Sequence, residues 1–279
     1  MVDSKDDNNR ASPNEIKEQS VLELPTDNEL AATGIEDYLV FLSQLPPTLE
    51  SKMKGMHNAH ISLMFTGVSP ELLYGDVEEH NEKISTADYQ LLEKVINLTN
   101  NYHAVRLNDT QISFLNLNAA ARVVVNNRQH FKGAPSKQNG IKQWLRDNSN
   151  NWRKNPVQYG LLSGFSEPAS TKFPRYARMR AKLIEKLSDD DKSFIYSYPI
   201  NNRPGVALSE SEAKLRTIIE KNHWLSEEDI SLLESVFSVE SRTLGYYGFE
   251  KGDQDWADRL DAIYEEIMKK IVANSVIRH

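Results

Sequence analysis

The side chains best able to do chemistry in this chain are cations gathered on one short stretch, FPRYARMRAKLIEKL at residues 173–187. Drawn as a helix at about 100° per residue, Tyr176, Met179, Leu183 and Leu187 form an apolar stripe. Arg175, Arg178, Lys182 and Lys186 fall together on its flank. Like charges one turn apart repel by roughly 0.2–0.5 kcal/mol per pair. An anion is therefore expected against this row. It could be an acidic face of the same chain, such as Asp189-Asp190-Asp191 or the acidic C-terminal segment, or it could belong to a partner. Arg180 stands apart at the edge of the apolar stripe, where a guanidinium must be paired or line a cleft.

Just upstream, Tyr159-Gly160-Leu161-Leu162-Ser163-Gly164-Phe165 places two glycines four apart, with an aromatic at each end. Read as a loop feeding a helix that opens at Pro174, it would present free N–H groups beside the cations, a cradle for a phosphate. The pattern is neither the Gly-x-Ser-x-Gly elbow nor a P-loop, and a tight helix end packed in the core explains it equally well. Trp152, Trp144, Tyr159, Phe165 and Tyr176 are interleaved with the cations, so stacking on nucleic-acid bases is a third chemistry to weigh.

Other constellations are thinner. His57 and His60 share a helical spacing, but His60 falls on an apolar face with Met53, Met56 and Leu63. Asp253, Asp255, Asp258 and Asp261 resemble a metal cluster, yet acids at the start of a helix are favoured by its dipole. His103, His130 and His223 stand alone. No residues are assigned to a metal, and no cofactor is expected. The chain has no cysteine, which excludes disulfides, thiolate nucleophiles and Cys-ligated zinc or iron–sulfur clusters.

These candidates sit in a chain whose charge is sorted. Between Thr110 and Lys186 there are fourteen Lys and Arg against Asp147, Glu167 and Glu185, although the whole chain carries −7. A locally basic middle in an acidic protein of pI about 5.6 points to an acidic partner more than to a polynucleotide. No run of about 20 apolar residues is present, so no transmembrane segment is expected. The start of the chain lacks an apolar signal region, which suits the cytoplasm and leaves open a non-classical secretion route. The Asn-rich, Cys-free style suits a bacterial accessory or effector protein.

The elements that must position these residues read as mainly α. An acidic flexible tail is expected over residues 1–30 and a helical body over 31–279, with a natural lobe boundary at the Gly/Pro-rich stretch 132–140. Helices are expected at 35–45, from Thr48 to about Leu63, from the Ser85–Asp88 capping box onward, and from Asn118. Further helices are expected from Pro174, from Ser209, from Ser226, and along Trp256, Leu260, Ile263, Ile267 and Ile271. Residues 104–107 and 111–115 alternate around Asn108-Asp109-Thr110, the mark of a small β-hairpin. Phe194, Tyr196, Tyr198 and Ile200 alternate too, which predicts one further short strand.

Three function classes follow. The leading one is a non-catalytic binding or regulatory protein that presents the basic middle to an acidic protein. Its site residues would be Arg175, Arg178, Arg180, Lys182 and Lys186, with Trp152, Tyr159, Gly160 and Gly164. The alternatives are an enzyme for a phosphorylated or nucleotide substrate held near Tyr159 and Phe165, and a nucleic-acid-binding protein.

Overall fold

The structure is a computed structural model that describes residues 27–56, 58–75, 85–109, 111–202, 209–239, 241 and 245–276. Most of the expected tail, His57 and the side chain of His60 lie outside this set. Residues 27–30 belong to the first helix instead of the tail, because Leu30 is already buried there.

The chain is mainly helical and carries two small antiparallel sheets. α1 (Asp27–Ser43), α2 (Pro47–Met56) and α3 (Asn58–Thr66) precede β1 (Glu71–Gly75). α4 (Thr86–Ile96) opens with the expected capping box, in which the Ser85 hydroxyl and the Asp88 carboxylate each take the other's backbone N–H. β2 (Tyr102–Arg106) and β3 (Gln111–Asn116) are the expected hairpin. β1 adds antiparallel to the far side of β3, with Leu73 opposite Ser113, so the sheet order is β1-β3-β2. Around this sheet α1 to α4 bury Tyr38, Phe41, Met53, Phe65, Tyr89 and Leu92 in one core. Gly34 sets the closest approach between α1 and α3. A Cβ there would lie 2.2 Å from the Phe65 carbonyl oxygen.

α5 (Leu117–Asn126) is capped by Asn116, not Asn118, because it is the Asn116 side-chain oxygen Oδ1 that accepts from the N–H groups of Asn118 and Ala119. A 3-10 turn (Arg128–His130), α6 (Gln138–Asp147), α7 (Ser149–Lys154) and α8 (Pro156–Leu162) close a second core on Val124, Phe131, Leu145 and Trp152. The stretch 132–137 joins α5 to α6 inside that one core. Arg128 holds it by donating to the carbonyls of Ala134 (2.9 Å) and Pro135 (2.7 Å).

α9 (Glu167–Ile184), α10 (Asp189–Asn201), α11 (Ser209–Lys221) and α12 (Glu227–Ser235) bury Tyr176, Met179, Leu183, Ile195, Ile218 and Leu233 together. α10 occupies the stretch where a strand was expected. Ser188 caps it, three aspartates fill its first turn, and the Phe194 and Tyr198 rings meet at 5.7 Å one turn apart. The aromatic alternation thus splits into a packed face and an exposed face carrying Tyr196 and Ile200. The added strands are β1 and the pair β4 (Phe237–Val239) and β5 (Tyr246–Gly248). α13 (Lys251–Val276) then returns to α1, where Ile267 meets Ala31 and Ile35.

Gly34→Ala is expected to cost at least about 2 kcal/mol, since the clash is with backbone that cannot rotate away. Urea denaturation of the variant against the parent chain measures it.

Candidate functional site

The turn between α8 and α9 is where the sequence places its binding loop, and its hydrogen bonds decide what it can bind. Asn155 caps α8 by accepting from Val157 N–H (3.1 Å) and Gln158 N–H (3.3 Å), with Pro156 in the first turn. At the other end Gly164 takes φ 88°, its N–H reaches Leu161 O (3.2 Å), and Phe165 N–H reaches Gly160 O (2.9 Å). That is a Schellman closure. Ser163 N–H is also spent, on Tyr159 O (2.8 Å). The N–H groups of the turn are therefore occupied, and the free phosphate cradle expected here does not form.

α9 also starts seven residues before Pro174. Ser166 is its N-cap, accepting from Ala169 N–H (3.2 Å), and Pro168 suits the first turn. The Ser166 hydroxyl donates to Asp253, a fully buried carboxylate in the first turn of α13. The second Asp253 oxygen accepts from Phe249 N–H (2.7 Å) and Glu250 N–H (3.0 Å). Of the four aspartates it is Asp253 that stands in the first turn of α13, whereas Asp258 and Asp261 lie further along it, and among the described residues no group of acids and histidines is placed to hold a metal.

Between α8, α9 and β5 lies a cavity of about 270 Å³. Two stacked ring pairs form its walls, Phe165 with Tyr246 at 5.2 Å and Phe173 with Tyr247 at 5.6 Å, and Tyr159 and Gly160 complete them. Hydroxyl bonds hold two of the tyrosines in place. Tyr246 donates to Asp253 O (3.0 Å), and Tyr247 accepts from Arg180 (3.4 Å). Ser170 also lines the cavity. It is 3% exposed and its hydroxyl has no partner. A more open cleft of about 360 Å³ runs past Thr66, Asn127, Ser166, Glu167 and Trp256. Four of its polar side chains are engaged within the chain: Thr66 with Ser62 O, Asn127 with Val123 O, Ser166 with Asp253, and Glu167 with His130 at 2.9 Å.

The expected cations do not act as one row. Arg175 bonds Asp229 (2.9 Å) and Glu228 at the N-terminus of α12, a neutralisation from within the chain. Asp189 and Asp191 do not meet the row but pair with Lys192 (3.0 Å) and Lys214 (3.6 Å). Arg180 lies over the Tyr196 ring at 4.4 Å, beside the cavity wall. Arg178 and Lys182 are exposed, and among the described residues neither has an ion pair. Lys186 rests on the partly exposed Trp224 indole at 4.6 Å. Trp152 is fully buried, with Nε1 donating to Leu145 O (3.0 Å), so it touches no partner. Gly160 and Gly164 are buried parts of the helix end. Of the residues expected to bind, Tyr159, Gly160 and Phe165 line the aromatic cavity.

Sequence reasoning missed a buried polar chain across the sheet. Glu71 on β1 accepts from Ser113 Oγ on β3 (2.7 Å) and from Ser163 Oγ (3.2 Å). Arg153 Nη2 donates to the same Ser113 oxygen (2.7 Å), and its Nε and Nη1 are buried without a bond. Burial pushes the Glu71 carboxyl up and the Arg153 guanidinium down, each opposed by the other's charge. The only available signal was one acid at the head of the apolar strand Glu71–Gly75.

His103 borders this chain. Its Nδ1 lies 3.2 Å from Asn97 Oδ1, an oxygen that also accepts from Ala104 N–H (2.9 Å), so Nδ1 carries the proton. Burial, then the charges of Arg146 and Arg153, lower its pKa from 6.5 to about 4, against a weak opposing pull from Asp147. No protein-family model, curated protein or solved structure matches this chain, so the site rests on its own geometry.

The lowered His103 pKa gives a signed expectation. The folded chain binds this proton less readily than the unfolded one, so the contribution is complete above about pH 6.5 and is lost as pH falls toward 4. Glu71, with its raised pKa, acts in the opposite sense. The urea midpoint of His103→Gln should therefore fall less than that of the parent chain between pH 6.5 and 4. Parallel pH profiles for the two proteins would contradict the assignment.

Proposed function

We propose that this is a non-catalytic binding protein that uses the outer flank of α9 to engage an acidic segment of another protein. The observation that carries this reading is the contrast along one helix. Arg175 is answered by Glu228 and Asp229, whereas Arg178 and Lys182, on the same flank, are exposed with no described acid against them. Arg178, Lys182 and Lys186 repeat every four residues, so they repel until an anion lies along them.

The row ends at Trp224, whose indole is 37% exposed beneath Lys186. An aromatic beside cations is the composition that dominates protein–protein hot spots. The fitting partner is an acidic peptide with one apolar side chain for the indole. A polynucleotide fits less well. Trp152 and Tyr176, two of the five rings that could stack on bases, are fully buried, and acids lie close to the row at Glu185 and Asp189. The substrate-phosphate reading loses its support with the occupied N–H groups of the α8–α9 turn.

The test is fluorescence anisotropy with a labelled Glu-rich peptide containing one Leu, run against single- and double-stranded DNA of the same length. Arg178→Glu with Lys182→Glu should weaken peptide binding at least about tenfold while far-UV circular dichroism and the urea midpoint are unchanged. Binding should also weaken with salt, since the contacts are exposed. Arg175 is left intact, because its reversal would break the tie to α12. Unchanged peptide affinity in the double variant, or tighter binding of DNA than of peptide, overturns the proposal.

A further inference from the structure

We infer that the cavity between α8, α9 and β5 is a binding site for a neutral aromatic molecule of one or two rings that carries one hydrogen-bond donor, read by Ser170. This stands apart from the acidic-partner surface. About the axis of α9, at about 100° per residue, Phe173 lies roughly 140° from Arg178 and roughly 180° from Lys182, and Ser170 roughly 80° and 120° from them.

Size comes first. An apolar cavity of about 150 Å³ holds benzene, so about 270 Å³ admits a fused two-ring molecule. The walls are ring surfaces, the two stacked pairs and Tyr159, which favour an aromatic guest through edge and offset contacts. None of the lining side chains is charged, so an ion entering would lose its hydration without a counter-charge. A cation is further opposed by the Arg180 guanidinium over Tyr196 and Tyr247.

Ser170 supplies the specific contact: its hydroxyl packs against Gly160 in the cavity lining and turns about χ1 to meet the guest. Buried polar groups without partners are few in native proteins, and each calls for an explanation. A resident water would need two to four polar partners, and these walls are mostly apolar. The same residue lacks a second bond. Pro174 sits four positions on inside α9 and has no N–H to give the Ser170 carbonyl. Two of the wall tyrosines are also fixed in advance, because their hydroxyls are bonded to Asp253 and Arg180. A preformed cavity gives up little freedom on binding.

The experiment is calorimetry and ligand-observed NMR on the full chain, using indole, N-methylindole, benzyltrimethylammonium and naphthalene-2-sulfonate. Indole should bind with Kd on the order of 100 µM and the two ions at least about tenfold more weakly. Ser170→Ala should weaken indole about fivefold and leave N-methylindole, which has no N–H, unchanged. Without ligand the same variant should unfold at the parent's urea concentration or higher, since it removes an unbonded buried hydroxyl. Phe173→Ala opens one wall from the exposed side and should weaken both indoles, which keeps the test alive if Ser170→Ala folds poorly. Three results overturn the inference: no indole binding at millimolar concentration, ions bound as tightly as indole, or Ser170→Ala affecting both indoles equally.

Discussion

One buried carboxylate ties together three segments on which the rest of this protein is arranged. Asp253 is fully buried and accepts from the Ser166 hydroxyl and from the N–H groups of Phe249 and Glu250, while its own carbonyl takes the Tyr246 hydroxyl. Removing a carboxylate from water is costly, and charge-assisted bonds are what offset it. Those bonds belong to three different segments: the start of α9, the end of β5 and the start of α13. They fix where α9 begins, and so where its faces point. They hold Tyr246 against Phe165, which makes one cavity wall. They also aim α13 back at α1, where Ile267 closes on Ala31 and Ile35.

With α9 fixed, the sorted charge of the sequence takes on a different meaning in space. The fourteen cations in 110–186 are not alike in space. Arg153 is turned inward to Ser113, Arg128 and Arg146 are bound to backbone carbonyls, and Lys172 and Arg175 meet acids from the following 80 residues. Neutralisation by acids of the same chain, one of the two readings open from sequence, thus reaches Lys172 and Arg175 among the described residues. Lys132, Lys137, Lys154, Arg178 and Lys182 are exposed without an ion pair among the described residues, and of these only Arg178 and Lys182 share one flank of α9.

How far the sequence could be read depended on how local each determinant was. The capping boxes at Ser85 and Ser226, the β2–β3 hairpin and the Tyr176–Met179–Leu183 stripe are short-range patterns, and each forms as the spacing requires. The strand expected over Phe194–Ile200 failed because period-two aromatics also satisfy a helix when a serine cap and three aspartates precede them. The start of α9 was placed at Pro174 because a proline suits a first turn. The true cap, Ser166, is recognisable only with Asp253, 87 residues away. Glu71 was invisible for the same reason, since its partners Ser113 and Ser163 come from β3 and the end of α8. The cavity needs rings from two segments some 80 residues apart, so Tyr159 and Gly160 were found and Ser170, Tyr246 and Tyr247 were not.

α9 also concentrates the buried side-chain groups that lack a bond. The starts of α4, α5, α8, α10 and α12 are capped by side chains, and Glu71 finds two hydroxyls in the interior of the sheet. Along α9 the Ser170 hydroxyl, the Tyr176 hydroxyl and the Arg180 Nε are buried without a bond, and a proline interrupts the helical ladder among them. Arg153 Nε and Nη1 on α7 are the other such atoms among the described residues, so the unmet groups lie on the two helices that flank α8. Of the α9 groups, Ser170 borders the cavity, while Tyr176 and Arg180 lie against Tyr247 behind its wall. The seat provided by Ser166 and Asp253 fixes the start of α9 and with it the direction in which those groups point.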